Sequence, residues 1–227
     1  MLDGHPTSVT RHRGRKLLCV GTALFVASCA LLLCTSCTGR SGSSSMTLIA
    51  ANSTWKYLDD GSDQGTSWRQ LAFDDSSWPS GAAPLGNVPD GDRRQITTYV
   101  KSGPFGNHII TYYFRRSFTV PDSAAFDTLT LQMRCDDGAI VYLNGTEVAR
   151  RNMPPGTVNY RTPVPQQDLD QGLTWWEFRV SPGLLAAGTN VIAVELHEYD
   201  YTTDSLFDLQ LAAGAASNNL TGPSAVH

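Results

Sequence analysis

Residues able to do chemistry are few in this chain. Past residue 40 the histidines are His108, His197 and the terminal His227. Hydrolysis needs an acid/base pair, a nucleophile with its base, or a metal cluster. Gly106-Asn107-His108 matches the first three residues of a metal-binding Gly-Asn-His-Asp run, a match that chance explains. Ile109 stands where the aspartate belongs, and past residue 40 no Asp-x-His or Gly-Asp-x-x-Asp supplies the other ligands. Gly-x-Ser-x-Gly and the phosphate-binding P-loop are absent as well. Aspartates are plentiful, but eight of the 17 sit in Asp-Gly or Asp-Asp turn contexts. A carboxylate pair for glycoside hydrolysis is therefore an alternative, and the main reading is non-catalytic.

Binding asks less. A sugar site needs an aromatic face for the ring's C–H groups and a few polar groups for its hydroxyls. The polar candidates are Asp136 and Asp137 at one turn, Arg150, Arg151 and Asn152 after a hairpin, and His197, Glu198, Asp200 and Asp204 beyond the penultimate strand. The aromatic candidates are Trp175, Trp176, Tyr199 and Tyr201. Adjacent strand residues point to opposite faces, so one ring of Trp175-Trp176 is expected in the core and the other in solvent. Bland roles compete with these. Arg150 and Asn152 suit a salt bridge and a turn cap equally well, and Glu198 and Asp204 suit pairing with nearby arginine.

The elements that must position these groups read as strands. Thr111 to Val120 places Tyr112, Phe114, Phe118 and Val120 on one parity, interrupted by Arg116. Thr128 to Cys135 places Leu129, Leu131 and Met133 together, and Ala139 to Leu143 follows. Asn144-Gly145 supplies the two positive-φ residues of a type I′ turn leading to Thr146–Ala149, and Asp137-Gly138 is expected to form a second such turn. Trp175–Val180, Asn190–Tyr199 and Leu206–Ala212 complete the set. No long stretch has helical periodicity. Many short strands without helical crossovers predict an all-β fold, an antiparallel β-sandwich. Trp55, Trp68 and Trp78 are expected in the core, and Cys135 as a buried free thiol. Asp74-Asp75-Ser76-Ser77 should make a turn through side-chain oxygens. Pro79 to Gly106 reads as a long surface excursion.

The first 37 residues are a different object. Arg11, Arg13, Arg15 and Lys16 precede an apolar run from Leu17 to Leu33, then Cys34-Thr35-Ser36-Cys37 and a Gly/Ser-rich stretch. That order reads as an export signal at 1–37 with a tether at 38–46. Its cysteines suggest a bacterial lipoprotein signal, with Cys37 as the lipidated residue and Cys29 as the alternative. The expectation is a membrane-anchored protein at the cell surface or in the periplasm. From Ser41 onward, 12 basic residues face 20 acidic ones, a net of −8. That disfavours nucleic acid as a partner. The sandwich is expected at 47–213, with a loose tail at 214–227.

Three blocks carry a family resemblance. They are Trp68–Trp78 (WRQLAFDDSSW) with the small residues to Gly86, then Tyr112–Arg116 (YYFRR) with Asp136–Asn152 (DDGAIVYLNGTEVARRN), and Ala187–Leu209 (AGTNVIAVELHEYDYTTDSLFDL). In this order the chain resembles the galactose-binding-like jelly-roll domains of bacterial secreted proteins and the sugar-binding jelly roll of β-galactosidase-type glycoside hydrolases. The resemblance implies a jelly roll over nearly all of 55–211 and a carbohydrate partner, such as a β-galactoside or cell-wall polysaccharide. It is also compatible with a structural calcium ion, although no EF-hand-like spacing is present. A structural or protein-interaction role in an envelope complex is the alternative.

Overall fold

A computed structural model describes residues 45–89, 91–104, 107–199 and 204–215. The expected signal at 1–37, with Cys29 and Cys37, and most of the tether and tail lie outside the described residues. So do Asp200 and Tyr201.

Twelve strands form two six-stranded sheets. The first sheet holds β1 (Ser45–Ile49), β4 (Leu85–Asn87), β5 (Thr98–Tyr99), β7 (Phe126–Asp136), β10 (Trp176–Val180) and β12 (Ser205–Ala215). Its order is β10-β7-β12-β4-β5, with β1 also paired to β12. The second sheet runs β3-β2-β6-β11-β8-β9. Its strands are β2 (Thr54–Leu58), β3 (Ser80–Ala82), β6 (Thr111–Val120), β8 (Gly138–Leu143), β9 (Thr146–Arg151) and β11 (Gly188–His197). Every pairing is antiparallel except β4 with β5. From β6 to β12 only the β8–β9 hairpin stays within one sheet; every other connection crosses between sheets. This is the expected all-β sandwich.

The expected alternation is what fills the space between the sheets. Tyr112, Phe114, Phe118 and Val120 from β6 meet Leu129, Leu131, Met133 and Cys135 from β7 in one buried cluster. Phe207 of β12 is its aromatic centre, stacked on Phe114 at 4.3 Å and edge-on to Trp55 at 5.1 Å. Cys135 is buried as a free thiol, and burial pushes its pKa up to about 12. A thiol so held is a poor nucleophile.

A second cluster covers the outer face of the second sheet. Trp68 and Trp78 pack there on Tyr113, Ile140 and Tyr142, together with Met153 and Val164. The Ser76 N–H donates to Asp74 at 3.0 Å, forming the expected side-chain turn between the two tryptophans. Both rings are buried, as is Trp55.

Asn144 and Gly145 have φ of 51° and 88°, as the β8–β9 type I′ turn requires. Asp137-Gly138 behaves differently. β7 and β8 belong to opposite sheets, so this is a crossing between layers and not a second hairpin. Gly138 serves close approach instead: a Cβ there would lie 2.6 Å from Val164 Cγ1 and 2.8 Å from Asn152 O. The strands also extend past the expected limits. Ser45 and Met46 pair with Gly214 and Ala213, so part of the expected tether and tail is ordered sheet.

Candidate functional site

The β7–β8 crossing gathers polar groups at one end of the sandwich. Asp137 is buried, and its carboxylate accepts from the Asp168 N–H at 2.7 Å and the Tyr199 N–H at 2.8 Å. Its carbonyl accepts from Arg151 at 3.0 Å and from Asn152 Nδ2 at 3.1 Å. Asn152 also donates to Gln166 O at 2.8 Å, from a backbone φ of 50° that asparagine tolerates better than most residues. Arg151 pairs with Asp168 at 2.8 Å and lays its guanidinium 4.6 Å over the Trp176 ring.

Beside this lies an ion cluster centred on Arg94, in the segment between β4 and β5. Its guanidinium touches Asp92 at 2.7 Å, Asp136 at 2.6 Å and Asp204 at 2.8 Å. Burial opposes the Arg94 charge, but hydrogen bonds to Asp92 and Asp204 outweigh it and hold its pKa above the ordinary range. Asp136 is pulled both ways. Burial, then Asp137 and Asp204, raise its carboxyl, while Arg94 draws it down. The net shift is upward, to about 9: the 2.6 Å contact with Arg94 favours the carboxylate, but burial and the neighbouring aspartates oppose it more strongly. Asp92 is more open, and its hydrogen bonds to Arg94 lower its pKa to about 2.

The expected site residues divide accordingly. Asp136, Asp137, Asn152, Trp176, Glu198, Tyr199 and Asp204 converge on this end, but Asp136, Asp137 and Glu198 are buried and serve the interior. Asp204 has its expected arginine. Arg150 stands apart. It grips both oxygens of Glu147 at 2.8 Å and donates to Pro154 O at 2.6 Å. That is the expected salt bridge, and it closes the loop after β9.

His197 also stands apart, on the covered outer face of the second sheet. Its Nδ1 lies 2.8 Å from Thr162 O and 3.0 Å from Thr111 Oγ1, and its Nε2 lies 3.4 Å from Glu195. Tyr142 donates to the same Glu195 at 2.5 Å, and Arg69 pairs with it at 3.3 Å. Burial raises the Glu195 pKa, but His197 and Tyr142 more than offset it and the net shift is downward. The histidine is fully buried, so the sequence expectation of a ligand contact there is not met.

The tryptophan pair also departs from expectation, because neither ring is in the core. Trp176 faces Met133 across the ladder and so shares its inward face, but it begins an edge strand and is 41% exposed. Trp175 is half-buried on the other face, with Arg134 5.1 Å over its ring. In the segment before Trp176, Leu173 is 60% exposed and Leu169 is 89% exposed.

Sequence reasoning missed Arg94, Asp92, Arg151's stacking role and Asp168. The one available signal was Asp92-Arg93-Arg94, since an aspartate readily caps the N–H two residues on, and the Arg94 N–H does donate to Asp92 at 2.7 Å. Nothing in its spacing shows that Arg94 turns inward. A separate groove on the first sheet, lined by Thr47, Ile49, Thr130, Gln132, Gln210, Leu211 and Ala212, contains no aromatic ring. Among the described residues, no three His, Cys, Asp or Glu side chains are arranged to hold a metal ion.

No family model and no curated protein matches the chain. Solved structures do match its fold. A β-glucuronidase from Bacteroides uniformis aligns over 75% of this chain with a TM-score of 0.50 and 21% identity. A glycosyl hydrolase family 2 member from Bacteroides cellulosilyticus aligns over 74% at 0.47 and 16%. A β-glucuronidase from an uncultured Clostridium aligns over 75% at 0.46 and 15%. This chain spans 18% of the length of the first of these proteins, 20% of the second and 29% of the third. The first match establishes a shared β-sandwich fold.

Proposed function

We propose that this protein is a non-catalytic module that binds carbohydrate through Trp176 at the β7–β8 end of the sandwich. The observation that carries the reading is the ring itself. It is exposed on one side and braced on the other by an arginine that is fixed by Asp168 and two backbone carbonyls, Asp137 O and Cys135 O. A preorganised, half-exposed indole suits the C–H face of a sugar ring. Asn152 and Tyr199, partly exposed, are joined to it through Asp137 and can supply polar contacts. The titratable groups best suited to acid/base work, Glu195, His197, Glu198 and Asp136, are buried. The fold shared with part of a β-glucuronidase is consistent with a carbohydrate setting.

Titration of the protein with β-galactosides, β-glucuronides and cell-wall polysaccharide tests this. Binding should weaken at least about tenfold in Trp176→Ala and persist in Trp175→Ala. Absence of binding at millimolar ligand, with the protein folded, would sink the proposal.

A protein-docking role is the second reading, favoured by exposed Leu169 and Leu173 in the segment leading to Trp176. We also infer that the module is exported and lipid-tethered at Cys37, with Cys29 as the alternative, supported by the basic and apolar order of its first 37 residues. Labelled-palmitate incorporation in wild type, Cys37→Ser and Cys29→Ser tests the attachment.

A further inference from the structure

We propose that Glu198 is a neutral carboxylic acid in the folded protein at neutral pH, and that its ionisation loosens the β7–β8 end, making this end an alkali-sensitive clasp. Glu198 is 1% exposed, and among the described residues no group hydrogen-bonds either carboxyl oxygen. Its backbone is fixed, with its N–H donating to Ile110 O at 2.9 Å and its carbonyl accepting from Val164 at 3.2 Å. The side chain therefore cannot swing into water without breaking the strand end.

The charged groups around it are unfavourable to a carboxylate. Asp136 and Asp137 act from the β7–β8 crossing and Asp204 from the start of β12. Tyr112 of β6 is a further titratable neighbour, and Asp59, after β2, acts on that tyrosine and is paired with Lys101 at 3.4 Å. The nearest cation is Arg94, which already serves Asp92, Asp136 and Asp204. The Arg94 guanidinium is thus already engaged by three carboxyl groups, none of them Glu198. A buried carboxylate with neither a donor nor its own cation is strongly disfavoured, and taking up a proton removes that cost. Burial, then Asp137, Asp136 and Asp204, place its pKa well above the ordinary glutamate range.

The sign follows from linkage. An acid whose pKa rises on folding keeps its proton in the folded state after the unfolded chain has lost it. Its stabilising effect is complete below the unfolded value of about 4.3 and is lost as pH climbs toward the raised folded value.

Thermal unfolding of the full-length protein and of Glu198→Gln, from about pH 5 to about pH 9, tests the proposal. The runs are made with chelator and with added calcium. The wild-type midpoint should fall with rising pH regardless of calcium, and the variant, neutral at every pH, should show a flatter profile. Parallel profiles would overturn the proposal, as would calcium stabilisation that disappears in Glu198→Gln, since that result marks a cation site. If the variant does not fold, infrared spectroscopy of wild type with ¹³C-labelled glutamate decides. The chain has four glutamates, of which Glu147 and Glu177 are exposed and Glu195 is ion-paired. A protonated glutamate band at neutral pH supports the proposal, and its absence refutes it.

Discussion

Replacing Arg94 with methionine removes the cation that, among the described residues, touches Asp136, Asp92 and Asp204, while keeping much of the side-chain volume. The three carboxylates do not weigh equally. Asp92 and Asp204 keep 16% and 20% side-chain exposure, so water takes over much of the guanidinium's role there. Asp136 has 3% exposure and would be left buried without a cation, so it must either carry its charge unpaired or take up a proton. Breaking one side of a buried pair costs about 3–5 kcal/mol. At about 2–4 °C per kcal/mol, the midpoint should drop by roughly 6–20 °C at pH 8. The cost should also depend on pH. Asp136 already has a raised pKa, and losing Arg94 raises it further. Its penalty is relieved below the ordinary carboxyl range and grows as pH rises toward the folded value. Circular-dichroism melts at about pH 4.5 and about pH 8 should show the smaller loss in acid. A loss under about 2 °C, or an equal loss at both values, would refute the reading of the Arg94–Asp136 contact as a stabilising buried pair.

Gly138→Ala places a Cβ against Val164 Cγ1 and the backbone of Asn152, and should cost about 1–3 kcal/mol by urea unfolding. Tyr142→Phe removes the 2.5 Å hydrogen bond to buried Glu195 and should cost about 1–3 kcal/mol, with pH dependence appearing on the acid side as Glu195 protonates. Cys135 should resist maleimide in the folded protein and react on denaturation, which mass spectrometry reads directly.

The long strands were legible because their two faces meet different environments. β6, β7 and β12 each place apolar residues on the inner parity, and Asn144-Gly145 specifies its turn by backbone conformation alone. The strands β1 to β5 were not read as strands. β3, β4 and β5 have two or three residues each, too few to show a period. The site was harder, because residue type does not reveal direction. Glu198 and His197 look equally suited to solvent at the end of a strand, yet both are buried, on opposite sides of the second sheet. Asp137-Gly138 has the residues of a tight hairpin, but the chain uses glycine there to let two backbones approach while it changes layers. Arg94 lies in a stretch whose turn residues suggested a surface path, and only tertiary packing draws its guanidinium into the end of the sandwich.

The central claim is that Trp176 is the contact point for carbohydrate. The five tryptophans should give five indole N–H signals in a two-dimensional ¹H–¹⁵N spectrum, and the signal missing from Trp176→Phe identifies the one of interest. During titration with an oligosaccharide series, that signal should shift progressively, while the signals of buried Trp55 and Trp68 stay in place. A folded spectrum in which the Trp176 signal never moves, or binding that survives Trp176→Phe and Trp176→Ala unchanged, would contradict the account.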